Sequence, residues 1–162
     1  EIEKEEQAIY SFFVSKNNGL ALILQNTSVG VSDNDPQHAV DFIKSGFKDV
    51  SAETAACFKE RNQQTTQLAP DMQLSVEYAL LSADELKQIT SQPNWSDVLN
   101  GKYPDSNGYT IFSRVGFNDT LDQAVIYVGS ISGSMMGEGF YYLMEKQNGE
   151  WKIKEQMMVW IS

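Results

Sequence analysis

Basic residues are scarce in this chain. Against 22 aspartates and glutamates stand 12 lysines and arginines, and the formal net charge is −10. A surface of that sign is repelled by phosphate backbones and anionic membranes, and the lysines are scattered singly rather than gathered into a patch, so nucleic acid is excluded as a partner. Cysteine is nearly absent as well. Cys57 stands alone, which rules out an intrachain disulfide or a thiolate metal cluster, and its apolar helical setting reads as a buried structural thiol. His38 is the single histidine and reads as a helix-borne surface residue. No apolar run approaches the roughly 18 to 20 residues of a membrane helix. Leu20–Leu24 is only strand-sized, so no integral membrane segment is expected. The chain opens at Glu1 without a starting methionine or a leader, the appearance of either a processed exported protein or a cut boundary.

What is present suffices for one core. Over 162 residues the apolar fraction is 41%, enough to bury a core without staples, and no linker or repeat divides residues 1–162. Ala8, Ile9, Phe12 and Phe13 recur at helical spacing behind an acidic first turn, and Asn17-Asn18-Gly19 ends that helix. Leu20–Leu24 reads as a buried strand. Asp35 caps a helix opening at Pro36 and stopped by Gly46, with Ala39, Val40 and Ile43 inward. Another helix starts at Ser51 and runs to about Asn62, with Ala52, Ala56 and Phe58 or Cys57 inward. Val76–Leu81 reads as a second strand, Ser82–Glu85 as a capping box for a helix to about Thr90, and Trp95–Leu99 as one more helical turn.

From Tyr109 to Ser162 the period changes from helical to alternating. Strands are expected over Thr110–Phe117, Ala124–Gly129, Gly139–Lys146 and from Trp151 onward, with an Asn148-Gly149 hairpin turn. On the last strand, Trp151, Ile153, Met157, Val159 and Ile161 share one face. The expected architecture is α+β, with N-terminal helices packed on a C-terminal antiparallel meander sheet.

Two features interrupt that sheet pattern. Arg114, one of two arginines, alternates with Phe112 on an apolar strand; an arginine there suits either a planar anionic ligand or an internal ion pair with Glu138 or Glu155. Between Gly129 and Gly139 four glycines flank Ser130, Ser132 and Ser134, a stretch that fits an anion-binding nest, a lid or a bulged hairpin. It is neither a nucleophile elbow nor a phosphate-binding P-loop. A candidate ligand site therefore comprises Arg114, Ser132, Ser134, Glu138, Tyr127 and Tyr141, with Tyr142 nearby. No cofactor is indicated. No metal is indicated either, because Asp33-Asn34-Asp35 lacks the glycine and distal glutamate of a calcium loop and reads as a solvated turn.

The run Ser113-Arg114-Val115-Gly116-Phe117-Asn118, then Ala124–Val128, the stretch ending Gly139-Phe-Tyr-Tyr142, and Trp151 with Val159–Ser162 resemble an uncharacterised family of mostly exported bacterial proteins. Tyr103–Gly108 is similar to that family's entry into the sheet, while Asn62 and Leu68 carry a looser N-terminal similarity. The resemblance implies a shared fold and an extracytoplasmic location, and no reaction. Two functions fit the residues: a domain binding a small ligand or a protein partner, and a hydrolase-like enzyme in which Ser132 or Ser134 acts while Arg114 stabilises developing negative charge.

Overall fold

A computed structural model describes residues 1–16, 19–133 and 136–162. The fold is α+β, but its sheet is mixed. Helix α1 (Ile2–Val14) leads to strand β1 (Ala21–Leu24), then to α2 (Pro36–Gly46), α3 (Ala52–Arg61) and β2 (Tyr78–Leu81). Two short helices follow, α4 (Ala83–Thr90) and α5 (Trp95–Lys102). The remaining strands are β3 (Tyr109–Phe112), β4 (Gly116–Phe117), β5 (Gln123–Gly133), β6 (Met136–Gln147) and β7 (Glu150–Ile161). The sheet order is β2-β1-β3-β5-β6-β7, with β4 also paired to β5.

The antiparallel meander expected of the C-terminal third is therefore one part of a larger sheet. The two early strands join it in parallel, β1 alongside both β2 and β3, because helices rather than tight turns connect them. Nor are the helices all N-terminal to the sheet, since α4 and α5 lie between β2 and β3.

Three further expectations change. The strand expected over Thr110–Phe117 breaks at Ser113–Val115. The break is closed by side chains: the Tyr127 amide donates to Ser113 Oγ at 2.9 Å, the Arg114 amide to Asn62 Oδ1 at 3.0 Å, and the Val115 amide to Glu6 Oε2 at 2.9 Å. Gly116 resumes pairing where α3 crosses. A Cβ there would lie 2.5 Å from the Phe58 amide nitrogen, so only glycine lets the helix sit this close.

The glycine-rich stretch is mostly strand rather than loop. Gly129 pairs with Gly139, Ser130 with Glu138 and Ile131 with Gly137, with an irregularity between Ile131 and Gly133. Finally, β7 does not keep one face. Register shifts opposite Leu143/Met144 and Gly139/Phe140 insert extra residues into β7. Trp151 and Ile153 pack with α1, whereas Met157 and Val159 pack with α2 and α3 on the opposite face. A strict period of two cannot see a bulge, which is why the alternation reads as one continuous stripe.

Each sheet face carries its own core. On one side Ile9, Tyr10 and Val14 of α1 meet Phe112, Phe117, Ile126, Met144 and Trp151. On the other, Ala39, Val40 and Ile43 of α2 and Ala55 and Phe58 of α3 meet Val125, Tyr127, Tyr141 and Leu143. Helices α4 and α5 extend this second face over Leu22, Leu81 and Tyr109. The inward positions of α3 are Thr54, Ala55 and Phe58, while Ala52 and Ala56 are exposed. Thr54 turns inward because its hydroxyl donates to Gln123 at 2.7 Å. Cys57 is a partly buried free thiol packed against the α1-side core.

Candidate functional site

A cleft of about 660 Å³ opens on the α2/α3 face of the sheet. The loop from β1 to α2 supplies Ser28 and Gly30–Asp33, α2 supplies His38 and Phe42, and the sheet supplies Ile111, Tyr127, Val159 and Trp160.

The local sequence holds this shape rigidly. Asn34, at φ 51°, accepts the Val29 amide at 3.0 Å, closing the loop on itself, and donates to Thr65 at 3.3 Å, tying it to the segment after α3. The fully buried Tyr141 hydroxyl donates to the Val29 carbonyl at 2.6 Å, tying the loop down to β6. Gly30, at φ 84°, lies against the Tyr127 ring, where a Cβ would collide with it. Asp35 caps α2 by accepting the Gln37 amide at 2.9 Å, which aims His38 and Phe42 at the opening.

Glycines also build the floor. Any side chain at Gly139 would overlap the Trp160 indole. The bulge in β7 turns that indole onto Gly139, and its Nε1 donates to Tyr127 Oη at 2.7 Å. A bare glycine pair, Gly129 and Gly139, thus gives the aromatic pair its seat. Burial pushes the Tyr127 phenol above its ordinary value, although the hydrogen bond from Trp160 acts the other way, so the phenol is neutral at physiological pH. It accepts from Trp160, and no acceptor for its own proton lies among the described residues.

At the mouth stand Asp33 and His38, with Nδ1 of the histidine 2.5 Å from the Asp33 carboxylate and Nε2 3.9 Å from Asp35. Asp33, Asp35 and His38 could bring one ligand atom each to a cation. All three are at least partly exposed, and two of their oxygens already serve the turn and the helix cap. Phe42 at the rim is 53% exposed.

The residues singled out from sequence do not converge. Tyr127 lines the cleft and Tyr141 braces it from below. Ser132 and Glu138 line a separate depression of about 460 Å³ at the far end of the β5–β6 hairpin, with Ser130, Gly137 and Ser162. The Ser132 hydroxyl donates to the Met136 carbonyl at 3.2 Å. Ser134 lies outside the described residues. His38 belongs to the cleft and not to that depression, so Ser132 has no histidine beside it.

Arg114 lies on the opposite face. Its Nε donates to both Glu6 oxygens at 3.0 and 3.2 Å and its Nη2 reaches Glu3 at 3.4 Å. The ion pair foreseen for it exists, but its partner is Glu6 rather than Glu138 or Glu155, from a helix 108 positions away in sequence. The second arginine, Arg61, sets its Nη2 2.9 Å from the same carboxylate, close enough for charge pairing but not aligned to donate a hydrogen bond.

Of the cleft lining, sequence reasoning gathered only Tyr127; Trp160, Phe42, Gly30, Asp33 and His38 are among those it did not. The one usable signal was the pairing of glycines with a nearby tryptophan, and it becomes readable only once the β7 bulge is known. No family model, curated protein or solved structure gives a significant match to this chain.

Proposed function

We propose that this protein is a binding module whose cleft takes a small, partly apolar molecule between the β1–α2 loop and the Tyr127–Trp160 pair. The observation that carries this reading is the aromatic pair itself. Trp160 is held over bare glycines by a 2.7 Å hydrogen bond to Tyr127, in the lining of a concavity rimmed by a half-exposed phenylalanine. Concave sites of roughly 300 to 1,000 Å³ with apolar walls, few polar groups and a braced frame are the usual form of small-molecule sites. Such a shape suits a small molecule better than the broad, flat contact of a protein partner.

The hydrolase reading draws less support. It requires a serine within reach of a base and an arginine free to meet negative charge. Ser132 donates to a backbone carbonyl, and Arg114 is engaged by Glu6 on the other face of the sheet.

A thermal-shift screen of small molecules tests the binding reading, run in parallel on wild type and on Ser32→Trp, which places an indole across the exposed rim. Compounds that raise the midpoint of wild type are expected to lose that effect in the variant. Equal protection of both proteins would place binding elsewhere and defeat the reading. The extracytoplasmic location implied by the family resemblance is tested separately, by fractionating cells that express the native gene.

A further inference from the structure

Given that the cleft is a small-molecule site, we infer that its ligand is an organic cation: an amine or ammonium group attached to an apolar body. The inference rests on which charges surround the cleft and which do not. Asp33 is on the wall, and Asp35 approaches the same histidine. Asp41 borders the adjoining hollow together with His38 and Phe42. Asp33 and Asp35 approach the one imidazole and Asp41 stands beside it on the hollow, so three carboxylates keep the rim negative whether or not His38 carries a proton. No lysine or arginine lines either the cleft or that hollow among the described residues. Both arginines lie on the other face, committed to Glu6.

An anionic ligand would therefore meet a net repulsive field here, in a chain whose net charge is already −10. A cation gains twice, from the carboxylates at the mouth and from the negative faces of the rings. Phe42 and Trp160 offer the aromatic surface on which ammonium groups are bound. Farther in, Val31, Ile111 and Val159 supply a wall suited to hydrocarbon. Polarity thus runs from a charged rim to an apolar floor, the arrangement an amphiphilic amine matches end to end.

A matched set of probes decides the matter: 4-phenylbutylamine, 4-phenylbutanol and 4-phenylbutyrate, which share a body and differ only in head group. Each is titrated at pH 7 against wild type, Asp33→Asn and Ser32→Trp, read by tryptophan fluorescence excited at long wavelength and by thermal shift. Asparagine keeps the acceptor that Asp33 gives to the Asp35 amide at 3.1 Å, so the loop is preserved while the charge is removed. The amine is expected to bind wild type about tenfold more tightly than the alcohol, the worth of one partly screened charge pair at a protein surface, and the carboxylate more weakly than either. In Asp33→Asn the preference for the amine should fall to within about threefold, as expected when one of several carboxylates is lost.

Equal binding of amine and alcohol to wild type, with both lost in Ser32→Trp, would overturn the cationic class and leave the binding site standing. Tightest binding by the carboxylate would overturn it more directly. An amine preference undiminished in Asp33→Asn would remove the rim from the account. Failure of all three probes to bind wild type would defeat the class and the cleft reading together.

Discussion

The two faces of the sheet dispose of charge in opposite ways. Under α1 the charge is buried and neutralised. Glu6 is 3% exposed and meets Arg114, Arg61 and the Val115 amide. Glu5 meets Lys146 at 2.7 Å and the Trp151 indole at 2.9 Å. Alongside them Tyr10 stacks on Phe112, with ring centroids 4.4 Å apart, and donates to the Ser113 carbonyl. On the α2/α3 face the buried surface is aromatic and aliphatic, and the carboxylates stand at the rim, where water and a ligand can reach them. An arginine held between a buried glutamate and a second carboxylate is engaged within the fold, whereas an exposed aspartate beside an apolar cleft is open to an outside molecule. The conspicuous residue on the strand is therefore structural, and the unremarkable turn is the better candidate for recognition.

The strongest test of this contrast breaks the closed face. Glu6→Ala leaves two arginines, whose side chains are only 16% and 18% exposed, with the exposed Glu3 as their one remaining ion-pair partner among the described residues, and leaves the Val115 amide unanswered. Removing one partner of such a buried network costs about 3 to 5 kcal/mol. Urea denaturation should show that loss. By comparison Glu3→Ala, whose side chain is 62% exposed, should cost under about 1 kcal/mol as a surface pair does. Equal costs for the two would mean that the Glu6 network is no more than a surface pair.

On the open face the equivalent break is at the floor. Gly139→Val forces a side chain into the Trp160 ring, where a Cβ already lies 2.7 Å from two ring carbons, and should displace the indole from Tyr127. The expected cost is about 1 to 3 kcal/mol, typical of overpacking, with a red shift in tryptophan emission. Gly133→Ala is the control, since the nearest atom to its Cβ is 3.8 Å away, and it should leave both readings unchanged. An unshifted emission in Gly139→Val would detach the glycine from the tryptophan.

Sequence carried the helices and most of the strands, because caps such as Asp35, Ser51 and Ser82 are local signals. It also marked Arg114 and the glycines as exceptions to the strand pattern. What it could not supply was their partners. Glu5 and Glu6 look like ordinary acids near the start of a helix, and only the docking of α1 on the sheet buries them against Lys146, Trp151 and the two arginines. The site was scattered for a similar reason. Single-residue bulges in β7 carry Val159 and Trp160 to the cleft face, and an alternating pattern gives no warning of them. Asp33 and His38 look like a polar turn and a surface histidine until α2 is placed over β7, where Gly46 lets it settle against Met157.

A smaller effect is the pH dependence carried by Glu5. Burial alone would raise the Glu5 carboxyl, but the hydrogen bonds from Lys146 and Trp151 outweigh it and hold the group below its ordinary value of 4.5. A carboxyl with a depressed folded-state pKa stabilises the fold fully above its unfolded value and loses that contribution as pH falls through the folded one. Stability should therefore decline below about pH 4.5 through this group. Glu5→Gln, which keeps an acceptor for Trp151, should cost about 1 to 3 kcal/mol at neutral pH and flatten that decline. Parallel stability-versus-pH curves for wild type and variant would show that Glu5 is not the group responsible.

The smallest expected effect is the most pointed, because it asks whether the faces are independent. Arg114→Gln removes a guanidinium from the α1 side while leaving Arg61 to face Glu6, so the fold should weaken. The cleft should not notice, because none of its walls touches that network and Asn62 still receives the strand-break amide through the backbone of residue 114. For 4-phenylbutylamine, measured at a temperature where both proteins are fully folded, affinity should change by less than about twofold, the additivity expected of sites without shared partners. A large loss of amine binding in Arg114→Gln would couple the faces through the sheet. A gain in 4-phenylbutyrate binding by wild type over this variant would return the arginine to the role its place on the strand first suggested.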